Sequence, residues 1–470
     1  MSKQNLLQLI DSQQLEFTDM AKKIWENPQL AYEEKYACDL QIARLKDEGF
    51  RIQAPIAGIS TAFVAEYGSG RPIIGILGEY DALPGLSQTV GVVHEPIIPQ
   101  GHGHGCGHNL LGTAGVEAVI ALKKVMDEEK RGGTIRYYGC PAEEVLSGKS
   151  YMARAGVFDD LDCALTWHPG TSNIPVNMSM QALVSIKFHF KGIPAHAGQS
   201  PHAGRSALDA VELMNVGANY LREHVLDGSR IHYVITNGGL APNVVPEDAS
   251  VWYYLRAATK KQTEDMLRRV QKIAQGAALM TETSVTSEIL ANIYQTLPNE
   301  ALNDLMYENM EIASPLPFSE EEQEFARNLV STIHPDNPAL LSEIGDLLPV
   351  IPFNDKSLYG KSMGGSSDVG DVSWMIPLGQ IMTTCAPKGV EFHTWQATSS
   401  FGSSIGFKGM HLAAKTMALT AYDLLMNKDH ILDKAKEEFR RSTEGKPYVP
   451  GIPEEVQPPA GMENNQPLKI

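Results

Sequence analysis

The residues best suited to chemistry lie in one short segment, GHGHGCGH at positions 101–108, which holds three histidines, one cysteine and four glycines. Cys106 and His108 offer a thiolate and an imidazole two residues apart, close enough to hold one metal ion or a metal pair once the glycines let the backbone bend. A buried thiol beside an ordinary loop histidine is the alternative. A phosphate-binding loop is disfavoured, because it would follow directly on a hydrophobic strand, whereas this segment follows the proline-containing HEPIIPQ. A metal site therefore needs further ligands from elsewhere in the chain.

Carboxylate and imidazole side chains follow short apolar runs that have the composition of buried strands. Three runs show this pattern: PIIGILG (72–78) precedes Glu79 and Asp81, TIRYYGC (134–140) precedes Glu143 and Glu144, and DCALTW (162–167) precedes His168. In open α/β sheets the ligand cleft lies at the carboxyl ends of the strands, so these side chains should converge. Taken singly, the paired glutamates fit a solvated acidic turn and the histidine fits an ordinary turn residue.

His393, in GVEFHTWQ, adds an imidazole late in the chain that would attract no attention alone. The combination of donor types is what indicates function. Two carboxylates, three imidazoles and a thiolate suffice for two divalent ions with a position open for water. Two cations that polarise a carbonyl and acidify a water, beside a glutamate that accepts the water's proton, suit amide hydrolysis. A metal-bound carboxylate is a poor proton shuttle, so one member of the pair Glu143 and Glu144 should be the ligand and the other the base.

The composition limits the class of protein that can present these residues. At 470 residues two domains are expected, and 43% hydrophobic and 20% charged residues are typical of a soluble globular protein. No apolar run is long enough to span a bilayer, and the first residues lack the pattern of a signal peptide, so we expect a cytoplasmic protein. Five scattered cysteines argue against a disulfide framework. The formal net charge of −17 disfavours nucleic acid and membrane surfaces as partners.

The elements that must position the donors alternate between helix and strand. Helical periodicity covers residues 6–26, 33–49 and 110–128, and the last of these stretches lies between the first two apolar runs. Beyond Pro298 helical stretches resume, followed by glycine-rich GKSMGGSSDVGDVSW, a strand GQIMTTCAP and a long helix near residues 406–427. This alternation predicts an α/β catalytic domain built from two parts, residues 1–182 and 297–442.

A self-contained unit is predicted between these two parts, at residues 183–296. Its segments follow the order strand, helix, strand, strand, helix, strand, which is the βαββαβ order of a ferredoxin-like sandwich. Residues 443–470 form a tail rich in proline and polar residues. We expect the tail to be extended or partly disordered, and we assign it no chemistry.

The motifs GCGHN, PAEE, WHPG, GIPAHAG and EFHTWQ, in this order and spacing, resemble the aminoacylase and carboxypeptidase-G family of two-metal amidohydrolases. LGEYDALPGLSQ and GSSDVGDVSW are similar to a branch of that family with p-aminobenzoyl-glutamate hydrolases and related dipeptidases, and the likeness extends over about residues 16–448. The resemblance implies a mixed-sheet metallopeptidase domain with an inserted lid and dimerisation domain. It implies that Glu143 is the general base and that five residues bind metal: Cys106, shared by both ions, with His108, Glu144, His168 and His393.

One position departs from the wider family, in which many members carry His-x-Asp after the first strand. This chain has Glu79-Tyr80-Asp81 there, so the histidine ligand is absent and His108 is expected to substitute for it. Asp81 then fits a role in orienting a ligand without touching the metal. The neighbouring His102 and His104 match no ligand position and are interpreted as loop residues.

The inserted domain contributes a second set of candidates through the same resemblance. His196, in GIPAHAGQSPHAGRS, is implied to support the oxyanion, while Asn243 and Arg256 are implied to hold the substrate carboxylate. Each also fits an ordinary turn or surface residue. An edge strand of so small a sandwich is exposed unless paired, so we expect a homodimer in which His196 acts on the neighbouring subunit's substrate. A heteromer with a related subunit, or a monomer whose own lid closes, are the alternatives.

These observations predict a metal-dependent amidohydrolase that cleaves an N-acyl-amino acid, such as a p-aminobenzoyl-glutamate-like compound, or a dipeptide. Two divalent ions are expected, Zn²⁺ or Mn²⁺ first, and Co²⁺ and Ni²⁺ also suit mixed N, O and S donors. A catalytically silent metal- or peptide-binding protein on the same fold is the alternative, although such a protein could lose Glu143 without harming the fold. A nucleotide-dependent enzyme would require a strand directly before Gly101.

Overall fold

A computed structural model describes residues 3–333, residue 347 and residues 351–459. Within these residues the helices are α1 Lys3–Glu26, α2 Lys35–Asp47, α3 His108–Glu129, α4 Gly148–Arg154, α5 Ala207–Leu221, α6 Lys260–Thr281, α7 Glu300–Ala313, α8 Glu320–Ser331, α9 Val369–Ser373, α10 Trp395–Phe401, α11 Ser404–Leu425 and α12 Ile431–Ser442. No helix among them is both long and apolar enough to cross a membrane.

A seven-stranded sheet carries the catalytic domain, with the strand order β1-β2-β4-β3-β5-β11-β6. The strands are β1 Arg51–Gln53, β2 Phe63–Ser69, β3 Ile73–Glu79, β4 Gly133–Cys140, β5 Cys163–Gly170, β6 Ile174–Pro175 and β11 Leu378–Thr384. The four central strands β4, β3, β5 and β11 run parallel to one another, whereas β1, β2 and β6 join the edges antiparallel. The carboxyl ends of the three predicted apolar strands therefore meet on one edge, as expected.

Helix α3 explains how the sheet is held against the rest of the domain. It contacts β3, β4 and β5 on one side and α1 and α11 on the other. Nearly every residue from His108 to Leu122 is buried, which is why this segment lacks a polar face in the sequence. The start of α3, where the glycine-rich segment ends, is thus anchored by the largest hydrophobic core of the described chain.

The second sheet is separate and entirely antiparallel, with the order β10-β7-β9-β8. Its strands are β7 Ala182–Lys191, β8 Arg230–Asn237, β9 Asp248–Ala257 and β10 Ser284–Ile293. Helices α5 and α6 pack on one face and share a core of their own with the sheet. The βαββαβ order and the α/β class predicted from the sequence are both confirmed.

The structure also differs from the sequence-based expectations in detail. Strands β1, β2 and β6 were not predicted: β1 and β6 are short edge strands, where composition carries little signal, whereas β2 has seven residues and pairs with both β1 and β4. Strand β5 continues through Gly170, so His168 lies within the strand rather than after it. Its partner β11 extends the pairing through Thr384, opposite Gly170.

The proline-rich tail is described as far as residue 459, and residues 460–470 lie outside the described part. From residue 446 onward it has no helix or strand and lies along the catalytic domain. Ile452 is buried, and the Arg154 guanidinium donates hydrogen bonds to the carbonyl oxygens of Pro453 and Val456. The described tail is therefore extended but packed.

Candidate metal centre

Five side chains come together at the carboxyl ends of the central strands, in two groups that share Cys106. One group contains Cys106, His108 and His168, and the other contains Cys106, Glu144 and His393. Within each group the potential ligand atoms all lie within 4.8 Å of one another. The structure thus brings together all five residues named as ligands, and the shared thiol gives the arrangement expected for two neighbouring ions.

Gly107 lets Cys106 and His108 reach the site together. Its φ is +80°, in the left-handed region that glycine adopts without strain, and it forms the N-cap of α3. A Cβ at this position would lie 2.9 Å from Cγ of Pro169, too close for any other residue without displacement. The thiol and the imidazole on either side are therefore directed by a turn that requires glycine.

His393 reaches the site from a loop far along the chain. Its backbone N–H donates a hydrogen bond to the carbonyl of Gly105 over 2.9 Å, which ties this loop to the glycine-rich segment. Its φ is +61°, a left-handed conformation that is uncommon for a residue with a side chain and tends to occur at functional sites. Its Nε2 lies 3.4 Å from Oε2 of Glu144.

The hydrogen bonds of the two other histidines direct their free nitrogens into the site. Nδ1 of His108 donates to Oδ1 of Asp81 over 2.9 Å, and Nδ1 of His168 donates to the carbonyl of Pro169 over 2.7 Å. When each ring is neutral, its Nε2 is left as a lone-pair donor, the form in which histidine binds metal, although the charges of Cys106 and Asp81 outweigh burial and raise the pKa of His108. Nε2 of His168 lies 3.5 Å from Sγ of Cys106, close to the separation of about 3.5 Å between sulfur and nitrogen ligands of a tetrahedral zinc ion.

Two buried atoms in the site lack any hydrogen-bond partner, namely Nε2 of His108 and Oε1 of Glu144. An unsatisfied buried polar atom is costly, so such atoms are rare unless a ligand or ion completes them. Both belong to the groups described above, and both are lone-pair donors. These orphaned atoms therefore fit divalent cations.

The pKa values of several buried side chains in the site also favour the binding of cations. Burial raises the pKa of Glu144 to about 7, raises that of Glu143 well above its usual value and raises that of the Cys106 thiol. Burial lowers the pKa of His168 to about 4, which keeps its imidazole neutral. A cluster of buried acids and a thiol is unfavourable when ionised alone, whereas a divalent cation stabilises its ionised form.

The two adjacent glutamates occupy different positions. The backbone N–H of Glu144 donates to Oδ2 of Asp81 over 2.8 Å, so Asp81 holds both this loop and His108. Glu143 belongs to neither Cys106 group, and its Oε2 lies 3.9 Å from Nε2 of His108. It lies instead in a third group of potential ligands, with Glu79 and His108, so it is next to the two Cys106 groups without belonging to either of them.

Sequence reasoning missed a buried ionic cluster beside these ligands. Lys149, at the start of α4, forms ion pairs with Glu79 and Asp368, and all three side chains are almost fully buried. A lysine so close behind an acidic pair was a usable signal, but its partners are far apart in sequence. Buried Glu34 was missed as well. It accepts hydrogen bonds from the backbone N–H of Ala142 and from Thr61, and it supports the loop that carries the glutamate pair.

The candidate residues of the inserted domain lie in two places. His196 and Asn243 are exposed and adjacent, because His196 pairs with Val244 and the N–H of Ala197 donates to the carbonyl of Asn243. In the described residues no hydrogen bond or ion pair joins either of them to the metal-site residues. Arg256 instead faces the catalytic domain, where its Nη1 donates to Oγ of Ser366 over 2.9 Å.

Among the described residues, no strand lies between the end of β3 at Glu79 and Gly101. A nucleotide-binding loop at residues 101–108 would need a strand directly before it.

His102 and His104 enter neither ligand group, although His104 is buried. Burial and the neighbouring His108 lower the pKa of His104 to about 3.

Comparison with known proteins agrees with this geometry. The chain is 41% identical over 467 residues to one of the p-aminobenzoyl-glutamate hydrolase subunits of Escherichia coli, covering 96% of this chain and 97% of that protein. It is 27% identical to the Xaa-Arg dipeptidase of Homo sapiens, covering 92% of this chain and 91% of that protein.

Solved structures show the same fold. An aminobenzoyl-glutamate utilization protein from Klebsiella pneumoniae superposes with a TM-score of 0.59 at 17% identity, covering 88% of this chain and 97% of that one. A dinuclear metal-binding peptidase of the M20 family from Bacillus subtilis gives a TM-score of 0.57 at 16% identity, covering 88% and 99%. The family model for peptidase family M20/M25/M40 matches residues 75–313, and the chain belongs to this family.

Proposed function

We propose that the protein is a metal-dependent amidohydrolase that cleaves the amide bond of a p-aminobenzoyl-glutamate-like N-acyl-amino acid or of a dipeptide. The observation that carries the proposal is the pair of ligand groups sharing Cys106, with Glu143 beside them. The relatives named above are a p-aminobenzoyl-glutamate hydrolase subunit and a dipeptidase, and both names denote cleavage next to an amino acid.

The roles of the residues follow from their positions. Cys106, His108 and His168 would hold one divalent ion, and Cys106, Glu144 and His393 would hold the other. When bound, such ions polarise the scissile carbonyl and lower the pKa of the attacking water. Glu143 accepts the water's proton and passes it to the leaving nitrogen. Asp81 orients His108 and the loop of Glu144.

The donor set suits Zn²⁺ or Mn²⁺, and Co²⁺ or Ni²⁺ could also be bound. The shared thiolate and the imidazoles favour the borderline metals, while the carboxylate of Glu144 accommodates harder ions such as Mn²⁺. Hard ions that prefer oxygen alone, such as Mg²⁺ and Ca²⁺, fit the site poorly because sulfur and nitrogen dominate it.

His196 is prepared to donate a hydrogen bond while neutral. The backbone N–H groups of Gly198 and Gln199 donate to its Nδ1 over 3.2 and 3.0 Å, so the proton of the neutral ring resides on Nε2. An Nε2–H directed at the developing oxyanion stabilises the transition state without a charged imidazole. Asn243 lies next to His196 and, with Arg256, would bind the substrate carboxylate.

We further propose that residues 183–296 act as a lid and dimerisation domain between catalytic parts 1–182 and 297–442, with residues 443–470 as a tail. Strand β8 is an unpaired edge of the lid sheet, and apolar side chains along β8, α5 and the nearby loop are exposed: Val234, Ile235, Leu213, Val216, Tyr220 and Leu240. A second copy of the chain would cover both the edge and these side chains.

A related but different polypeptide is the other candidate for this surface. The p-aminobenzoyl-glutamate hydrolase of Escherichia coli has a further named subunit besides the relative described above, and that further subunit is 28% identical to this chain over 290 residues. The self-association of the purified chain distinguishes the two possibilities, because a homodimer forms without any other polypeptide.

The activity is tested by incubating the metal-reconstituted protein with a panel of acyl-glutamates, including p-aminobenzoyl-glutamate, and dipeptides. We expect release of the free amino acid from at least one class, and none from the Glu143→Gln variant prepared in the same way. Binding of metal and of panel compounds without any hydrolysis would contradict the proposal and favour a silent binding protein.

The placement of His196 predicts catalysis between subunits. His196→Ala and Glu143→Gln proteins should each be nearly inactive, but mixing them under exchange conditions rebuilds one complete site in each mixed dimer. At equal amounts, random exchange should restore about a quarter of the wild-type activity, since half of the dimers are mixed and each has one complete site. A site closed by its own lid would remain inactive at every ratio.

A further inference from the structure

The buried cluster around Lys149 has one feature that the function above does not use. Nζ of Lys149 lies 2.7 Å from Oε1 of Glu79, and it also contacts Oδ1 of Asp368. The two carboxylates belong to LGEYDALPGLSQ and GSSDVGDVSW, segments far apart in the sequence. Burying three charges is costly unless they are paired, so the fold must keep the ammonium and the two carboxylates in contact.

The two carboxylates on this ammonium are not equivalent. Both oxygens of Asp368 are used by Lys149, since Oδ1 contacts Nζ and Oδ2 accepts the backbone N–H over 2.8 Å. Glu79 gives only Oε1 to Lys149. Its Oε2 lies 3.3 Å from Nε2 of His108, the orphaned nitrogen of the metal site.

Glu79 is close to the metal site without joining the groups that share Cys106. It is grouped with His108 and Glu143, but its oxygens are not within 4.8 Å of both Cys106 and His168 at once. A direct ligand of an ion held by His108, Cys106 and His168 would be near all three. Glu79 is therefore placed as an outer carboxylate beside a ligand.

We propose that Glu79 is an outer carboxylate of the metal centre, held by Lys149 so that the negative charge of its second oxygen lies beside the cation that Nε2 of His108 would bind and strengthens cation binding on the His108 and His168 side. The inference rests on the proposed metal centre. Asp81 orients the ring through Nδ1, which leaves Nε2 free for the cation, and Glu79 adds a negative charge next to that nitrogen. Carboxylates that support ligands in this way commonly alter metal affinity by about 10- to 100-fold.

The test compares Glu79→Gln with Asp368→Asn in the full chain, because both remove one charge from the same ammonium. Dissociation constants for Co²⁺ are measured by competition with a chelator, and the thiolate-to-cobalt absorption reports that Cys106 still binds. We expect Glu79→Gln to weaken the binding of one of the two ions by about 10-fold or more. We expect Asp368→Asn to change the dissociation constant of neither ion by more than about twofold. Unchanged affinities in Glu79→Gln, or equal losses in both variants, would overturn the inference.

Two further measurements separate the role of Glu79 from the existence of the metal centre. If Glu79→Gln does not fold, Glu79→Asp keeps the pairing charge but withdraws the carboxylate from His108, and the same weakening of one ion is expected. Wild-type protein that binds no Co²⁺ would refute the metal centre itself. Wild-type protein that binds two ions with the same affinities as the Glu79 variant would refute only the role of Glu79.

Discussion

Replacing Glu143 with glutamine should lower kcat by about 100-fold or more while the metal ions remain bound. Glutamine keeps the size of the side chain but cannot accept the water's proton. Glu143 lies outside both groups that share Cys106, so its loss removes no proposed ligand. The measurement is kcat at saturating substrate together with the metal content of the purified variant.

Glu144→Gln is the matched control, since it changes the adjacent residue by the same atoms. Its carboxylate belongs to the group with Cys106 and His393, so this variant should lose an ion and lose activity for that reason. Added metal should partly restore its activity, whereas no amount of metal should restore Glu143→Gln. The reverse pattern would show that the roles of the two glutamates are exchanged.

Replacing Cys106 with alanine should remove the ligand common to both groups and therefore affect both ions. We expect reduced metal content and a loss of activity of about 100-fold or more, because hydrolysis depends on cations that polarise the carbonyl and acidify the water. Treating the wild-type protein with a chelator should produce the same loss, reversed by added metal. Metal content and turnover are measured on the same samples.

Cys163→Ala provides the matched control for this change. Cys163 is buried as well, but it lies at the start of β5, away from both ligand groups. Its replacement should cost some stability through lost packing and leave the metal content unchanged. Full activity of metal-free protein, or equal metal loss in the two variants, would contradict the assignment of Cys106.

Much of the site could be predicted from the sequence because its parts are locally encoded. Each apolar run that was read as a buried strand is a strand in the structure, and Asp81 and the glutamate pair follow the strands that were predicted to carry them. Parallel strands bring their carboxyl ends to one edge, so convergence followed from topology alone. The identities of the individual ligands came from resemblance to a family, and the geometry of the two groups supports them.

Other parts of the site depend on contacts that no local pattern contains. His393 joins the ligands through a loop with a left-handed residue and a hydrogen bond to Gly105, which lies much earlier in the sequence. Lys149 contacts Glu79 and Asp368 only because α4, β3 and the loop before α9 pack together. A charged residue in a sequence is expected at the surface, so its burial can be recognised only when its partners are seen.

Hydrophobic periodicity and residue chemistry are properties of short segments, so the amino-acid sequence was sufficient to predict the alternation of strands and helices, the βαββαβ insertion and the set of donor types. Three features became visible only in the folded chain: which donors share Cys106, which nitrogen of each histidine is free, and which of two adjacent glutamates stands apart from the ligands. Those distinctions are differences of a few ångströms between residues distant in the chain. They are set by how the core packs and how its buried polar groups are paired, and both are properties of the whole fold.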